Sequence, residues 1–454
     1  MATNQELLDS VLDKLETNGI QNVRFEFLDL CSVARSKTIP ARHFKRTTTS
    51  GILFPITFFA CDPYLEMQCE SKIWKKYTTA DTVFYPDLST FTILPWSKDT
   101  ARVFVSASSI DGGDDVRLVD PRNILQAQLQ DLAMKDLSIL SAIEYEFWLV
   151  DEKTRVPINP DINGYSTLQF AKHQEFLSKI ALNLFEAGVD VNCSQVEYGK
   201  GMFEITMEPS FGMKAADTAA TLRTGVKEMS MQNGMIGSFM SKPFLDAVAA
   251  SGHLNHSLWS PDGKTSKLSD PSRPHGLSDI GEHWIAGLLD HAPALSFLQA
   301  PTLNCLQRIN ISDIFVPTNA SWGINNRTCA VRIKKGGSDG MYFENRLGSS
   351  AGNPYISLAA TIAAGLDGIN RELRLPPAVP IDILASDEGN VPAGAAPLPR
   401  DLESALKVLK NDEVMMNAMG TDFVDALECV RRSELKKVKG DKYAWARQLY
   451  FDYI

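Results

Sequence analysis

Glu144 and Glu146, in the run SAIEYEFWLV (141–150), are the first residues whose types and spacing suggest chemistry. With the two-residue period of a strand, both carboxylates share a face with Ala142 and Trp148, while Ile143, Tyr145, Phe147 and Leu149 take the other. A solvated edge strand would give the same pattern. The oddity repeats, however. In SQVEYGKGMFEITMEP, Glu197 precedes a Tyr-Gly-Lys-Gly turn and Glu204 follows it; in SGHLNHSLW, His253, Asn255 and Ser257 share a face; in MYFENRL, Tyr342, Glu344 and Arg346 do. Four strands with polar groups on one side suggest a lined cavity. Two carboxylates about 6 Å apart repel by roughly 3 kcal/mol at an effective dielectric of ~20, so several sharing a site require cations. Carboxylate oxygens with a single imidazole favour Mg²⁺ or Mn²⁺ over zinc, which draws Cys or more His. Arg308, Arg327, Arg332 and Arg346 supply planar donors suited to phosphate and carboxylate. A divalent metal with clustered arginines points to phosphoryl transfer.

The elements that must hold these residues can be read coarsely. The chain has 454 residues, enough for two domains. A helix is predicted from about Asn4 to Glu16, then an alternating strand, VRFEFLDL, and a loop-rich stretch to about Asp99. The polar, turn-rich segment 111–123 suggests a boundary, so a small domain over 1–110 precedes a large one over 111–454. In the large part strands alternate with helices without a regular βαβ rhythm. GNPYISLAATIAAGLDGI (352–369) reads as an apolar helix capped by Asn353, residues 374–399 as a Pro/Ala-rich connection, and 401–418 and 421–437 as amphipathic helices. Gly263-Lys264-Thr265 lacks the leading glycine of a P-loop and reads as a turn.

Composition narrows the partners. A net charge of −10 without basic runs argues against nucleic acid and anionic membranes. Seven scattered cysteines without CxxC spacing indicate neither a disulfide framework nor a zinc ribbon and fit a reducing, cytoplasmic setting. The acidic N-terminal stretch does not read as a signal peptide, and no run of ~18 apolar residues reads as a membrane span.

Taken in order, FLDL…TIP, DPRNIL, IEYEF, VEYGKGMFEI, SGHLNHSLW, PTLNCLQRI, NNRTCAVRI, FENRL…NPYISLAATIAAGLDGI and LPRDLESALKVLKND resemble the catalytic machinery of the glutamine synthetase superfamily over nearly the whole chain. The resemblance implies an α+β protein: a small N-terminal β-grasp domain and a large catalytic domain with an antiparallel active-site sheet flanked by helices. It further implies a ring-stacked homo-oligomer, usually a dodecamer, with active sites between subunits. Glu146, Glu197 and Glu204 are similar to the ligands of one metal, and Glu144, His253 and Glu344 to those of another. ATP is the implied cosubstrate, with Asn255, Ser257, Arg327 and Arg332 near it. Arg308 and Arg346 resemble the pair that holds glutamate. Asp29 matches an acid donated to the amine pocket by a neighbouring subunit and acts with Arg327 as a catalytic residue; Tyr165 lines the same pocket.

Departures from the family pattern bear on the amine. In RINISDIFVPTNASWG the register sets Phe315 where glutamine synthetases carry the flap glutamate that binds and deprotonates ammonium; Asp313, two residues away, is the alternative acid. GILFPITFFACDP (51–63) is apolar where the family has a small polar loop. Both changes favour a hydrophobic amine, and an aryl amine, neutral at pH 7, needs less help from a base. Other departures are AVAASGH without its Asn-Gly, Asn255 for a second histidine, Met202 for a glutamine, Tyr342 for an arginine that contacts ATP phosphates, and the missing adenylylation tyrosine. The resemblance therefore implies an ATP-dependent γ-glutamyl-amine ligase similar to γ-glutamylanilide synthase. The alternatives are an alkylamine or polyamine acceptor, a true glutamine synthetase using ammonium, and a catalytically inactive relative.

Overall fold

A computed structural model describes residues 4–108, 119–245, 247–309, 314–336 and 340–454. The expected boundary at 110/111 and Asp313 lie outside the described residues. Among those described, no helix is long and apolar enough to cross a membrane.

Two sheets organise the chain. The first is built from β1 (Asn22–Leu28), β2 (Ala34–Pro40), β3 (Ile52–Pro55), β4 (Asp81–Pro86), β5 (Thr92–Ile93) and β6 (Thr100–Ala107). Their order is β2-β1-β6-β4-β3, with β5 on β6; β1 and β6 run parallel, and the other pairs are antiparallel. Its core is aromatic: Phe27 lies 5.1 Å from Phe54, 5.5 Å from Phe59 and 4.8 Å from Phe84 between ring centroids. Ile52, Phe54, Ile56 and Phe59 of the apolar 51–63 loop are buried in this core, so most of the loop's apolar surface is committed inside its own sheet, while Leu53 stays exposed.

The second sheet comprises β7 (Ser138–Asp151), β8 (Val191–Val196), β9 (Met202–Met207), β10 (Ser210–Phe211), β11 (Met235–Ser238), β12 (Gly252–Trp259), β13 (Trp322–Ile324), β14 (Val331–Lys335) and β15 (Met341–Asn345). The order is β13-β14-β15-β12-β7-β9-β8, antiparallel except for β13 with β14, and β10 and β11 pair with β7. The α+β class is as expected. The apolar parity of β7, Ile143 to Leu149, is buried as its period requires, and the carboxylate parity faces the other way.

The helix Pro354–Asn370 is apolar on all sides because it is buried on all sides. Asn353 caps it, accepting from the amides of Tyr355 and Ile356, and donates through Nδ2 to the Asp29 carbonyl at 3.0 Å, tying the first sheet to the helix start. The helix crosses Asp279–Asp290 at contact distance through glycines: a Cβ on Gly287 would sit 2.1 Å from the Ala364 carbonyl. At the far end His291 joins three helices, its Nδ1 2.7 Å from Asp412 and its Nε2 2.9 Å from Asp367; Arg371 reaches both Asp290 and Asp367 at 2.8 Å. Asp412 also splits the single helix expected over 401–418. Its carboxylate caps a new one, giving Leu402–Asn411 and Glu413–Met419.

Candidate active site

Strand register, not sequence proximity, assembles the charged residues. Glu144 is directly opposite His253 across β7 and β12, and Glu146 is opposite Glu204 across β7 and β9. Asn255 faces Glu344 across β12 and β15, and Arg332 faces Glu344 across β14 and β15. Two groups result, Glu144/His253/Glu344 and Glu146/Glu197/Glu204, each with ligand atoms within 4.8 Å of one another. In the first, His253 Nδ1 lies 2.7 Å from Glu144 and 3.5 Å from Glu344. In the second, the Ser251 amide donates to Glu146 at 2.6 Å, and Gln195 Nε2 donates to both Glu197 at 2.7 Å and Glu204 at 3.0 Å.

Burial sets the electrostatics. It raises the Glu204 carboxyl to about 10, with Glu144, Glu146 and Glu197 adding repulsion, and the Glu146 carboxyl to about 8, with Glu197 adding to it. Burial likewise raises Glu197 and pushes the His253 imidazole well below its ordinary value. Glu344 is the exception: burial works to raise it, but Arg346, His253 and Lys334 together hold it below the usual carboxylate range. Mutually repelling acids that take up protons in a buried site are compatible with bound cations that replace those protons. His253 Nε2 and Asn255 Oδ1 are buried without a hydrogen-bond partner. Oxygen donors with one imidazole fit Mg²⁺ or Mn²⁺, and two trios could each hold one.

The trios open into a cavity of ≈ 320 Å³ whose remaining wall carries Arg308, Arg327, Arg332, Lys334, Arg346 and Phe315. A second cavity of ≈ 850 Å³ shares Arg332 and Lys334 with it and is otherwise bounded by His275, Ile324, Asn325, Lys335, Gly336, Tyr342 and the 378–381 segment. With this geometry in view the comparisons are decisive. The model of the glutamine synthetase catalytic domain matches residues 118–450. The chain belongs to the glutamine synthetase family. Human lengsin is 34% identical over 446 residues, covering 96% of this chain and 84% of that one. The glutamate–isopropylamine ligase of a Pseudomonas species is 27% identical over 465 residues, 99% of both chains. Among solved structures, the GmaS/ADP complex superposes with a TM-score of 0.83 at 26% identity over 96% of this chain and 98% of that one.

Within this glutamine synthetase frame the expected residues differ in their partners. The six acid and imidazole side chains converge as described. Arg332 donates to Glu344 at 3.0 Å and to Asn325 at 2.5 Å; Arg346 bonds Glu344 and donates to the Phe315 carbonyl at 3.1 Å. Asn255 donates to Glu144 at 3.0 Å. Arg327 lines the cavity and hydrogen-bonds the Tyr165 phenol, and Phe315, 46% exposed, borders the opening. Arg308 lines the cavity too, while donating to the carbonyls of Leu347 at 3.2 Å and Gly348 at 2.9 Å, which props the segment after β15.

Asp29 and Ser257 have partners of their own. Asp29 is 0% exposed, and its carboxylate accepts from the amides of Cys31 and Val33 and from Arg35 Nε at 2.8 Å. Burial raises its pKa against Arg35. Ser257 shares the parity of His253 but does not line the carboxylate cavity; its hydroxyl accepts from Trp259 Nε1 at 2.8 Å. Gln195 and Lys334 are site residues that the motif search misses. The signal is the strand period: Gln195 on β8 keeps the parity of Glu197 just beyond its end, and Lys334 that of Arg332 on β14.

Proposed function

We propose that this chain is a working glutamate–amine ligase that joins the γ-carboxylate of glutamate to an apolar organic amine at the expense of ATP. It is an ATP-dependent carbon–nitrogen ligase of the glutamine synthetase type. A γ-carboxylate oxygen takes the terminal phosphoryl group of ATP, releasing ADP; the amine nitrogen then attacks the acyl carbon, phosphate leaves, and the amine loses a proton. Glu146, Glu197 and Glu204 would hold one Mg²⁺ or Mn²⁺ and Glu144, His253 and Glu344 another, and the bound ions supply charge neutralisation for the transferring phosphoryl group. Arg327 and Arg332 add to that neutralisation, Arg308 and Arg346 hold the glutamate carboxylate, and the second cavity takes the nucleotide. The oligomer expected from the family, with sites between subunits, belongs to this proposal, as does a cytoplasmic setting.

One observation carries the choice of amine. The opening of the cavity is bordered by Phe315 and Tyr165, and a phenyl ring neither accepts a proton nor pairs with ammonium. Burial of an apolar substituent there gains at ~25 cal/mol per Å². An aniline-like arylamine, giving a γ-glutamylanilide, is the leading acceptor because it arrives neutral. A branched alkylamine is the second reading, favoured by the relative named for isopropylamine and by the burial of the 51–63 aromatics in their own core. The deciding assay is ADP release with glutamate, ATP and a panel of ammonium, alkylamines, diamines and anilines. Faster turnover with an apolar amine than with ammonium is expected. The reverse order overturns the acceptor, and no amine-dependent ADP release overturns the ligase.

A further inference from the structure

Lys334 stands apart from the arginines of the site. It lies on β14 directly opposite Tyr342 of β15, with Nζ 5.5 Å from the centre of the tyrosine ring. Its ammonium is 3.4 Å from Glu344 and 4.0 Å from Glu144, ion pairs longer than an ordinary charged hydrogen bond. It borders both the carboxylate cavity and the larger one beside it. Arg332 has the same position between cavities and is held at hydrogen-bonding distance by Glu344 and Asn325, whereas the ion pairs of Lys334 are longer. Lys334 therefore contributes a cation on a flexible stem, loosely paired, at the junction where one compartment is acidic and the other combines the Tyr342 ring and the aliphatic groups of Ile324 and 378–381 with the polar side chains of His275, Asn325 and Lys335. A molecule filling both compartments would set an apolar, planar part in the second and an anionic part at that junction.

We propose that Lys334 is a phosphate-contacting residue of the nucleotide site, its ammonium meeting the nucleotide's phosphate chain from the strand opposite Tyr342. This rests on the ligase reading and adds to it a residue for which the motifs give no role. When Glu144 and Glu344 turn to cations, the counter-charges that now hold Lys334 are shared, and its three N–H donors become available to phosphate oxygens. Tyr342, with no charge of its own, leaves that contact to its cross-strand neighbour.

Calorimetric titration of ADP and of adenosine, each with and without Mn²⁺, into wild type, Lys334→Met, Lys334→Arg and the double variant Lys334→Met/Tyr342→Arg tests this. Loss of a charged hydrogen bond predicts that Lys334→Met weakens ADP about tenfold or more and leaves adenosine unchanged. Lys334→Arg should retain most of the affinity, and Tyr342→Arg should restore part of what Lys334→Met loses, because it returns a cation across the same strand pair. Unchanged adenosine binding also shows that the variant is folded. If Lys334→Met does not fold, the ratio of ADP to adenosine affinity in Lys334→Gln decides instead. Equal weakening of both ligands, no weakening of either, or no ADP binding by wild type overturns the proposal. Amine-dependent ADP release by wild type is scored separately, so a failed ligase reading is distinguishable from a failed role for Lys334.

Discussion

At the residue scale the site is a problem of protons. Glu146 and Glu204, raised to about 8 and about 10, hold protons at pH 7 in the absence of cations. Adding Mn²⁺ or Mg²⁺ at pH 7 should therefore release protons into a weakly buffered solution, detectable with an indicator dye, and Glu204→Gln should lower the yield. A wild type that binds metal with no proton release would contradict the raised values. Phe315 makes the second prediction: Phe315→Glu should raise turnover of ammonium and lower that of the apolar amine, compared through kcat/KM for the two acceptors. An unchanged preference would move the amine opening elsewhere. These residues are legible in sequence to different degrees. The acids stand out because charge among Tyr, Phe and Trp on a strand is costly and rare. Lys334, followed by Lys335 at the end of VRIKK, looks like any solvated strand end, and a Gln has no titration cost to betray it.

At the element scale, strand period and register do most of the work, and helix junctions do the rest. The parity of β7 is legible because apolar and charged residues alternate cleanly over its length. What the sequence cannot reveal is which cavity an apolar loop fills. Composition alone makes Phe54 and Phe59 equal candidates for a substrate pocket and for a core, and only the pairing of β3 with β4 decides for the core. Similarly, Asp412 reads as one more polar residue in an amphipathic helix until its carboxylate caps the next turn. Its second oxygen holds His291, whose charge burial disfavours but whose bonds to Asp412 and Asp367 raise its pKa above the ordinary value. A raised value means stabilisation fully present below the unfolded pKa of about 6.5 and lost as pH climbs through the folded one. The difference in melting temperature between wild type and His291→Gln should thus be largest in mild acid, corresponding to about 1–3 kcal/mol, and shrink with rising pH. A difference that grew with pH would assign the clamp to neutral imidazole. Gly287→Ala should separate the crossing helices at a cost of about 1–3 kcal/mol, read as a lower melting temperature, because the new methyl meets backbone that cannot rotate away.

At the scale of the whole molecule, membership in the glutamine synthetase family was legible from ordered motifs spread over nearly the full length, since register-assembled sites leave one short signature per strand. The contribution of neighbouring subunits is not legible in that way: a motif match says where Asp29 falls in sequence, while its two amide donors and Arg35 say how its carboxylate is held within its own chain. If the proposed ring forms, light scattering should give a mass several times that of one chain, and dilution that splits it should reduce ADP release per chain. A fully active monomer would confine the site to one chain.

Asn353 grips the backbone of Asp29 with one end of its amide and starts a buried helix with the other. A fragment beginning after the first sheet would lose that anchor at the head of a deeply buried helix, so the portion bearing all six candidate ligands is a poor candidate for life as a free-standing module. Exchange of the small sheet between relatives would succeed only where the incoming segment offers a carbonyl at the same spot.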